Sequence, residues 1–238
     1  MSIVADDVEY NVVKSGVMLK LFYLLAGLAV LSAGLSVAGK WLGTSIVMAG
    51  HTDDTSLHEI VIGDDVISAH ANAIRFQRQR ADGIATRLDL YFRYPEMEGY
   101  SLAKSADFNN AATTKSIVFV SFEPRQMSRD MTGRLEPIYR RLIVDKPMAG
   151  PSDLSLYDFT EKSGYLNELL AVGSDASDSF VARCLTGPAA KDSIAPCERD
   201  IHVGRDLSLT YRFPKELLAD WRRLDAAVKD KARQMLRR

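Results

Sequence analysis

The sequence predicts an α+β protein: one N-terminal transmembrane helix, then a mostly antiparallel β domain with packed helices, including one at the C-terminus. Three observations predict this. Leu21–Gly39 is an uncharged apolar run held between Lys20 and Lys40. Downstream, short stretches alternate apolar and polar residues and end at Gly or Pro, the pattern of strands and turns. The last stretch, Lys215–Arg238, changes to a helical period. The strands are separated by turns and not regularly alternated with helices, which argues against a doubly wound parallel sheet.

The apolar run reads LFYLLAGLAVLSAGLSVAG. At about 1.5 Å per residue it spans roughly 28 Å, close to the roughly 30 Å hydrocarbon core of a bilayer. Residues 1–20 carry Asp6, Asp7 and Glu9 against Lys14 and Lys20, unlike the basic start of a signal peptide. The run also exceeds the roughly 7–15 apolar residues of a signal. The expectation is an uncleaved anchor: a cytoplasmic tail over 1–20, a transmembrane helix over 21–43, a linker over 44–56 and an extracytoplasmic α+β domain over 57–238. Lys20 and Lys40 suit snorkelling to the two interfaces, and Phe22, Tyr23 and Trp41 suit headgroup depth.

Basic residues near the ends set the orientation. Lys14 and Lys20 lie on the N-terminal side. On the other side only Lys40 precedes Arg75, while Asp53, Asp54 and Glu59 intervene. The N-terminus is therefore expected in the cytoplasm and the domain in the periplasm, on a single-pass protein of the cell inner membrane. Small residues four apart (Ala29 with Ala33, Ser32 with Ser36, Gly34 with Ala38) would let two such helices pair. Gly, Ala and Ser are also common in any span, so pairing stays open.

Past the linker, Glu59–Ile62 and Val66–Ala69 read as a hairpin around Gly63-Asp64-Asp65. Arg87–Tyr94 is the clearest strand, with Leu88, Leu90, Phe92 and Tyr94 on one face. Ser116–Phe122 follows, closed by Pro124. From there Met127, Met131, Leu135, Ile138 and Leu142 recur at helical spacing, and Gly133 and Pro137 predict a bent helix or two short ones. Its polar side carries Arg125, Arg129, Arg134, Arg140 and Arg141, either an anion-facing surface or a solvated face. Leu154–Phe159 reads as a strand, and Tyr165–Val172 as a short helix or strand. Ser179–Cys184, Cys197–Val203 and Leu207–Phe213 complete the β section. Pro214 opens the final helix, with Leu217, Trp221, Leu224, Val228 and Met235 on one stripe. That helix packs on its own domain, pairs with a partner helix, or touches anionic headgroups through its basic end; Trp221, Arg222 and Arg223 join the five arginines as a candidate interaction surface. Leu88–Pro95 (LDLYFRYP) and Leu207–Pro214 (LSLTYRFP) echo each other, as related half-units or as two strands capped alike.

The 30 Lys and Arg against 31 Asp and Glu leave a net charge of −1, so nothing calls for nucleic acid as a partner. Two cysteines exclude a disulfide-dense scaffold and leave room for one bridge. Cys184 and Cys197 flank a loop between two predicted strands, and their spacing matches neither redox nor zinc patterns. An oxidising compartment favours the bridge over two buried thiols.

No catalytic constellation emerges. His51, Asp53, Asp54, His58 and Glu59 are near neighbours, but His58-Glu59 does not begin an H-E-x-x-H motif and the group straddles the expected linker. Ser101-Leu102-Ala103-Lys104 has the S-x-x-K spacing of penicillin-binding proteins, and Lys162-Ser163-Gly164 looks like their K-T-G element. The intermediate S-x-N element is missing, and the separation is too short for that fold. No cofactor, metal or catalytic residue is therefore assigned.

The pieces AlaAsnAlaIleArgPhe (71–76), Glu98-Gly99-Tyr100-Ser101 and Phe180-x-x-Arg183-Cys184 resemble uncharacterised single-pass inner-membrane proteins of Gram-negative bacteria, in scattered parts of residues 57–215. The resemblance implies the topology and no activity. Together these readings predict a non-enzymatic envelope protein presenting a binding domain, as an accessory or structural component of an assembly. Its expected partners are the lipid bilayer and another membrane or envelope protein, or itself through the helix. The alternative is an envelope hydrolase with an unrecognised site acting on wall or lipid substrates. The short tail argues against a sensor with a cytoplasmic output domain.

Overall fold

The apolar run lies inside one long helix, α1 (Ser15–Met48), in the computed structural model, which describes residues 15–48, 50–174 and 179–237. The stretch Gly16–Val37 is long and apolar enough to cross a membrane. Its side chains are exposed almost throughout, large ones such as Phe22, Leu31 and Val37 included. A helix this apolar on every face lacks the polar stripe of a helix that lies on a soluble core. Expectations about Lys14, and about the side chains of Lys40 and Trp41, lie outside the described residues. From Gly50 the chain forms a second unit, the β domain.

The expected linker over 44–56 needs correction. Residues 44–48 continue the helix, because no proline interrupts it and extending an existing helix is far cheaper than starting one. The chain then turns at Gly50, whose φ of +83° suits glycine. His51 is already part of the domain. Its ring stacks on Tyr100 at 4.7 Å and meets the edge of Phe108 at 6.0 Å. Its Nδ1 lies 3.0 Å from the Tyr91 hydroxyl, and Arg80 donates to the Gly50 carbonyl at 2.8 Å. Burial, then Arg80 and Arg75, hold the His51 pKa below its ordinary value, so the ring is neutral at pH 7. Burial pushes Tyr91 up to about 12.

The domain opens with the hairpin β1 (Leu57–Ile62) and β2 (Asp65–His70), in register from Leu57↔His70 to Ile62↔Asp65. An excursion over residues 71–87 follows. It holds 3-10 turns at Ala71–Ala73 and Gln77–Gln79 and a short β3 (Gly83–Ile84) parallel to β1. Strand β4 (Leu88–Arg93) then pairs with β5 (Ile117–Pro124); the connection carries α2 (Ser105–Asn109) and α3 (Ala111–Thr114).

Residues 125–142 are not the bent helix their spacing suggests. They form successive turns and one 3-10 turn, Tyr139–Arg141. Gly133 and Pro137 interrupt the hydrogen-bond ladder, and the buried set becomes Met131, Leu135, Tyr139 and Ile143, while Met127 and Ile138 face solvent. A four-residue spacing is met by stacked turns as well as by a helix.

The remaining strands are β6 (Met148–Ala149), β7 (Ser155–Asp158), β8 (Glu168–Ser174), β9 (Ser179–Leu185), β10 (Cys197–Val203) and β11 (Leu207–Phe213), with α4 (Gly187–Lys191) between β9 and β10. Tyr165–Val172 thus resolves as a strand in its second half. A 3-10 turn (Lys215–Asp220) leads into α5 (Trp221–Met235), and β12 (Leu236–Arg237) ends the described chain. The large sheet is antiparallel in the order β4-β5-β11-β10-β9-β8-β7-β6; the small one runs β12-β2-β1-β3. The two echoing segments lie on either side of β5, with Leu90 and Tyr211 both opposite Val120.

The main core fills the space between one face of the large sheet and a cover made of α5 and the β1–β2 hairpin. Alternation explains it: Leu207, Leu209, Tyr211 and Phe213 point in, while Ser208, Thr210 and Arg212 point away. On α5, Trp221, Leu224, Val228, Ala232 and Met235 are buried against the sheet, so the helix packs on its own domain. Trp221 lies over Gly173, where a Cβ would stand 2.7 Å from the indole.

One polar contact ties the two sheets. Asp65 is buried, and its carboxylate accepts the backbone N–H groups of Arg205 at 3.0 Å and Asp206 at 3.2 Å, in the β10–β11 turn. Replacing Asp65 by alanine orphans these donors beneath the turn. The expected loss is about 2 kcal/mol. It should appear as a lower urea midpoint at unchanged slope for the full chain in detergent.

Candidate functional site

Alternation also defines the other face of the large sheet. Arg183 on β9, Glu198, Asp200 and His202 on β10, and Ser208 and Thr210 on β11 all point away from α5. The 125–143 segment covers part of this face through Met131, Leu135, Tyr139 and Ile143, which pack on Leu170, Val172 and Val181. Beside that cover lies an open groove of about 240 Å³, lined by these polar side chains with Glu123, Met127 and Arg134.

The groove is charged and internally paired. Arg183 lies between Glu168, at 3.5 Å, and Glu198, with which it is hydrogen-bonded. Its guanidinium sits 4.9 Å from the Tyr165 ring centre. Arg134 pairs with Asp200. Burial raises the pKa of both Asp200 and Glu168 against the opposing pull of their arginines. A second cavity of about 360 Å³ shares His202 and continues toward Arg199, Lys229 and Asp130 on the helix side.

Between the two cavities runs a buried ion pair. Arg199 is 1% exposed; its Nε donates to Asp225 at 3.0 Å, and its terminal nitrogens reach the Thr132 hydroxyl and the Val181 and Ser179 carbonyls. Asp225 also accepts from Tyr211 at 2.7 Å and meets Lys229 at 2.9 Å. Burial opposes the Asp225 carboxylate, but Arg199, Lys229 and Tyr211 hold its pKa below the usual value. This network joins β10, β11, α5 and the 125–143 cover.

The residues anticipated as an interaction surface do not form one surface. Arg134 lines the groove. Arg125 faces Asp206 at 3.6 Å, and Arg140 faces Glu136 and the Tyr157 hydroxyl at 3.2 and 3.3 Å. Arg129 and Arg141 are exposed. Trp221 is buried: its Nε1 donates to the Ser152 carbonyl at 3.1 Å, and its ring lies 4.9 Å from Phe180. It belongs to the core because it sits on the apolar stripe of α5. Arg222 lies 4.4 Å from the Trp221 ring centre and donates to the same carbonyl, while Arg223 is exposed.

The remaining motif candidates fall apart in space. His58 pairs with Asp82 and His70 with the Thr55 carbonyl, while His51 is stacked on Tyr100. Among the described residues no cluster of three metal-ligating side chains occurs, and no histidine is hydrogen-bonded to a serine, threonine or cysteine side chain. Ser101–Lys104 and Lys162–Gly164 belong to separate 3-10 turns. Cys184 and Cys197 face each other across β9 and β10, with their sulfurs 2.00 Å apart as a disulfide. The groove presents ion-paired and hydrogen-bonding side chains to solvent.

Fold and site define a class: an α+β domain with a charged sheet-face groove, preceded by one helix apolar enough to span a membrane. No protein-family model and no curated protein matches the chain. Among solved structures, the chain is similar to an immunity protein of the Stenotrophomonas maltophilia type IV secretion system, at 11% identity and a TM-score of 0.42, covering 79% of this chain and 95% of that one. It is also similar to FrpD, the iron-regulated outer membrane lipoprotein of Neisseria meningitidis, at 9% identity and a TM-score of 0.41, covering 77% and 96%.

Proposed function

We propose that this chain is a membrane-anchored envelope protein whose β domain is an extracytoplasmic interaction module, an accessory or structural component of an envelope assembly. The observation that supports this most directly is the exposed apolar helix Gly16–Val37, joined to a domain with an open, charged groove. The Cys184–Cys197 bridge supports an oxidising compartment for that domain. The lysine bias supports an N-terminus in the cytoplasm and a domain in the periplasm, on a single-pass protein of the inner membrane. The groove's residues suit a partner that offers carboxylates to Arg134 and Arg183 and donors to Glu198 and Asp200.

Topology is tested with one exposed reporter. Lys162→Cys sits in an exposed 3-10 turn away from the bridge strands. In spheroplasts an impermeant maleimide is expected to label it without lysis; labelling only after lysis would overturn the orientation. Thr210→Arg, which places a bulky cation in the groove, is expected to remove whatever co-purifies with the detergent-extracted protein while leaving its melting temperature within a few degrees. Retention of the same companion by Thr210→Arg would sink the groove as the docking site.

A further inference from the structure

We propose that the basic rim around His51 rests on the anionic phospholipid headgroups of the membrane that α1 crosses. The inference depends on the reading of α1 as a span and goes beyond it, because it assigns a membrane-facing surface to the folded domain.

The excursion 74–87 reads IRFQRQRADGIATR. It holds four arginines against one acid, Asp82; Arg87 is paired with Asp89 and Glu123, so Arg75, Arg78 and Arg80 against Asp82 leave an excess of +2. Residues 75–78 are all exposed, so an aromatic ring, Phe76, stands in solvent between two cations. The Arg75 and Arg78 guanidiniums lie 5.0 and 5.5 Å from its ring centre. An exposed aromatic flanked by arginines is the pairing that headgroup regions favour: the ring enters the interface and the cations meet phosphate.

The position of this rim supplies the second argument. Arg80 holds the Gly50 carbonyl, and Gly50 follows the last residue of α1 by two positions. The chain therefore enters the folded domain beside these arginines. The other wall of the His51 socket, Leu102–Asn109, adds exposed Leu102 and Lys104. Acids near the rim are engaged. Asp82 accepts from the Glu59 N–H and faces His58, Asp54 accepts from Ser56, Asp89 faces Arg87 and Asp107 faces Arg93. Asp53 is exposed. Each Lys or Arg close to an anionic leaflet adds about 1 kcal/mol, so the rim's excess cations suit such a surface and not a zwitterionic one.

The test uses the full chain in nanodiscs made with brominated lipids, which quench tryptophan at short range. Trp41 lies in α1 and Trp221 in the domain core. In the parent protein, loss of Trp41 emission tests the span. Phe76→Trp then adds a reporter in the rim, and Leu166→Trp adds a more exposed one before β8, four strands away from β5 and five from β4 in the large sheet. The expected result is a further loss of emission for Phe76→Trp in bilayers containing phosphatidylglycerol, absent for Leu166→Trp and much reduced in pure phosphatidylcholine. Raising the salt from about 0.1 M to about 1 M shortens the screening length from about 10 to about 3 Å and should cancel most of that loss. If Trp41 is quenched and the indole introduced by Phe76→Trp is not, the rim proposal is wrong and the span stands. Equal quenching in both lipids would overturn the role of charge. If Trp41 itself is unaffected, both readings fall.

Discussion

Replacing Asp225 by alanine is expected to lower the stability of the β domain by about 4 kcal/mol, the range for stripping one partner from a buried ion pair. The reason is the position of Arg199, which keeps its charge at 1% exposure whatever happens to its partner. The carbonyls of Val181 and Ser179 would still accept from it, but the Asp225 carboxylate at 3.0 Å would be gone. Denaturant unfolding of the full chain in detergent measures the loss. Replacing both partners by apolar residues, Arg199→Met with Asp225→Leu, should cost less than Asp225→Ala alone; the opposite order would contradict this account. The pH dependence has a definite sign. Asp225 titrates below its unfolded value of 3.8 when folded, so its contribution is complete above 3.8 and fades as pH falls through the lower folded value. The gap between the parent and Asp225→Ala should therefore be flat from neutral pH down to 3.8 and narrow below it. Asp200 and Glu168 act in the opposite sense. Their raised folded values make the groove gain stability from them at low pH and lose it as pH climbs through those values.

Removal of the disulfide has the second largest expected effect. The Cys184–Cys197 pair closes a short loop, and a loop of this size corresponds to about 3 kcal/mol. For a domain of this length that is a fall of roughly 10 °C in melting temperature. The double variant Cys184→Ser with Cys197→Ser should show it by circular dichroism at matched detergent. Both cysteines are fully buried in the main core, so reductant alone should act slowly on the folded protein and quickly in urea. A drop of only a degree or two would mean that the strand pairing of β9 and β10 already holds the loop.

Much of the fold was legible because alternation is a local signal. LDLYFR and LSLTYRF state which face is buried within a few residues, and both strands appear where the alternation lies. The long helix was legible for the same reason, although its end was not: nothing in GTSIVM stops a helix that has already begun. The turns at 125–142 were misread because Met127, Met131, Leu135, Ile138 and Leu142 recur at a spacing that stacked turns and helices share, whereas the set actually buried is Met131, Leu135, Tyr139 and Ile143. The groove was mostly hidden. Glu198, Asp200 and His202 alternate visibly on β10, but Arg134 and Arg183 reach them only through pairing of distant segments. Arg199 shows the limit most plainly, since an arginine amid Glu198 and Asp200 reads as one more solvated charge, and its burial follows from α5 supplying Asp225 from elsewhere in the chain.

The small strand β12 has a consequence for the order of events. Leu236 pairs with Ile67 on the outer side of β2, so the first hairpin of the domain borrows its last neighbour from the far end of the chain. During synthesis β1 and β2 emerge early, and the rim of β2 stays unpaired until residues 221–237 arrive. Contacts spanning such a sequence distance slow folding, and a bare strand rim invites wrong pairing. The domain thus passes through a stage in which its start is made but uncovered, and that stage is where helper proteins would matter most.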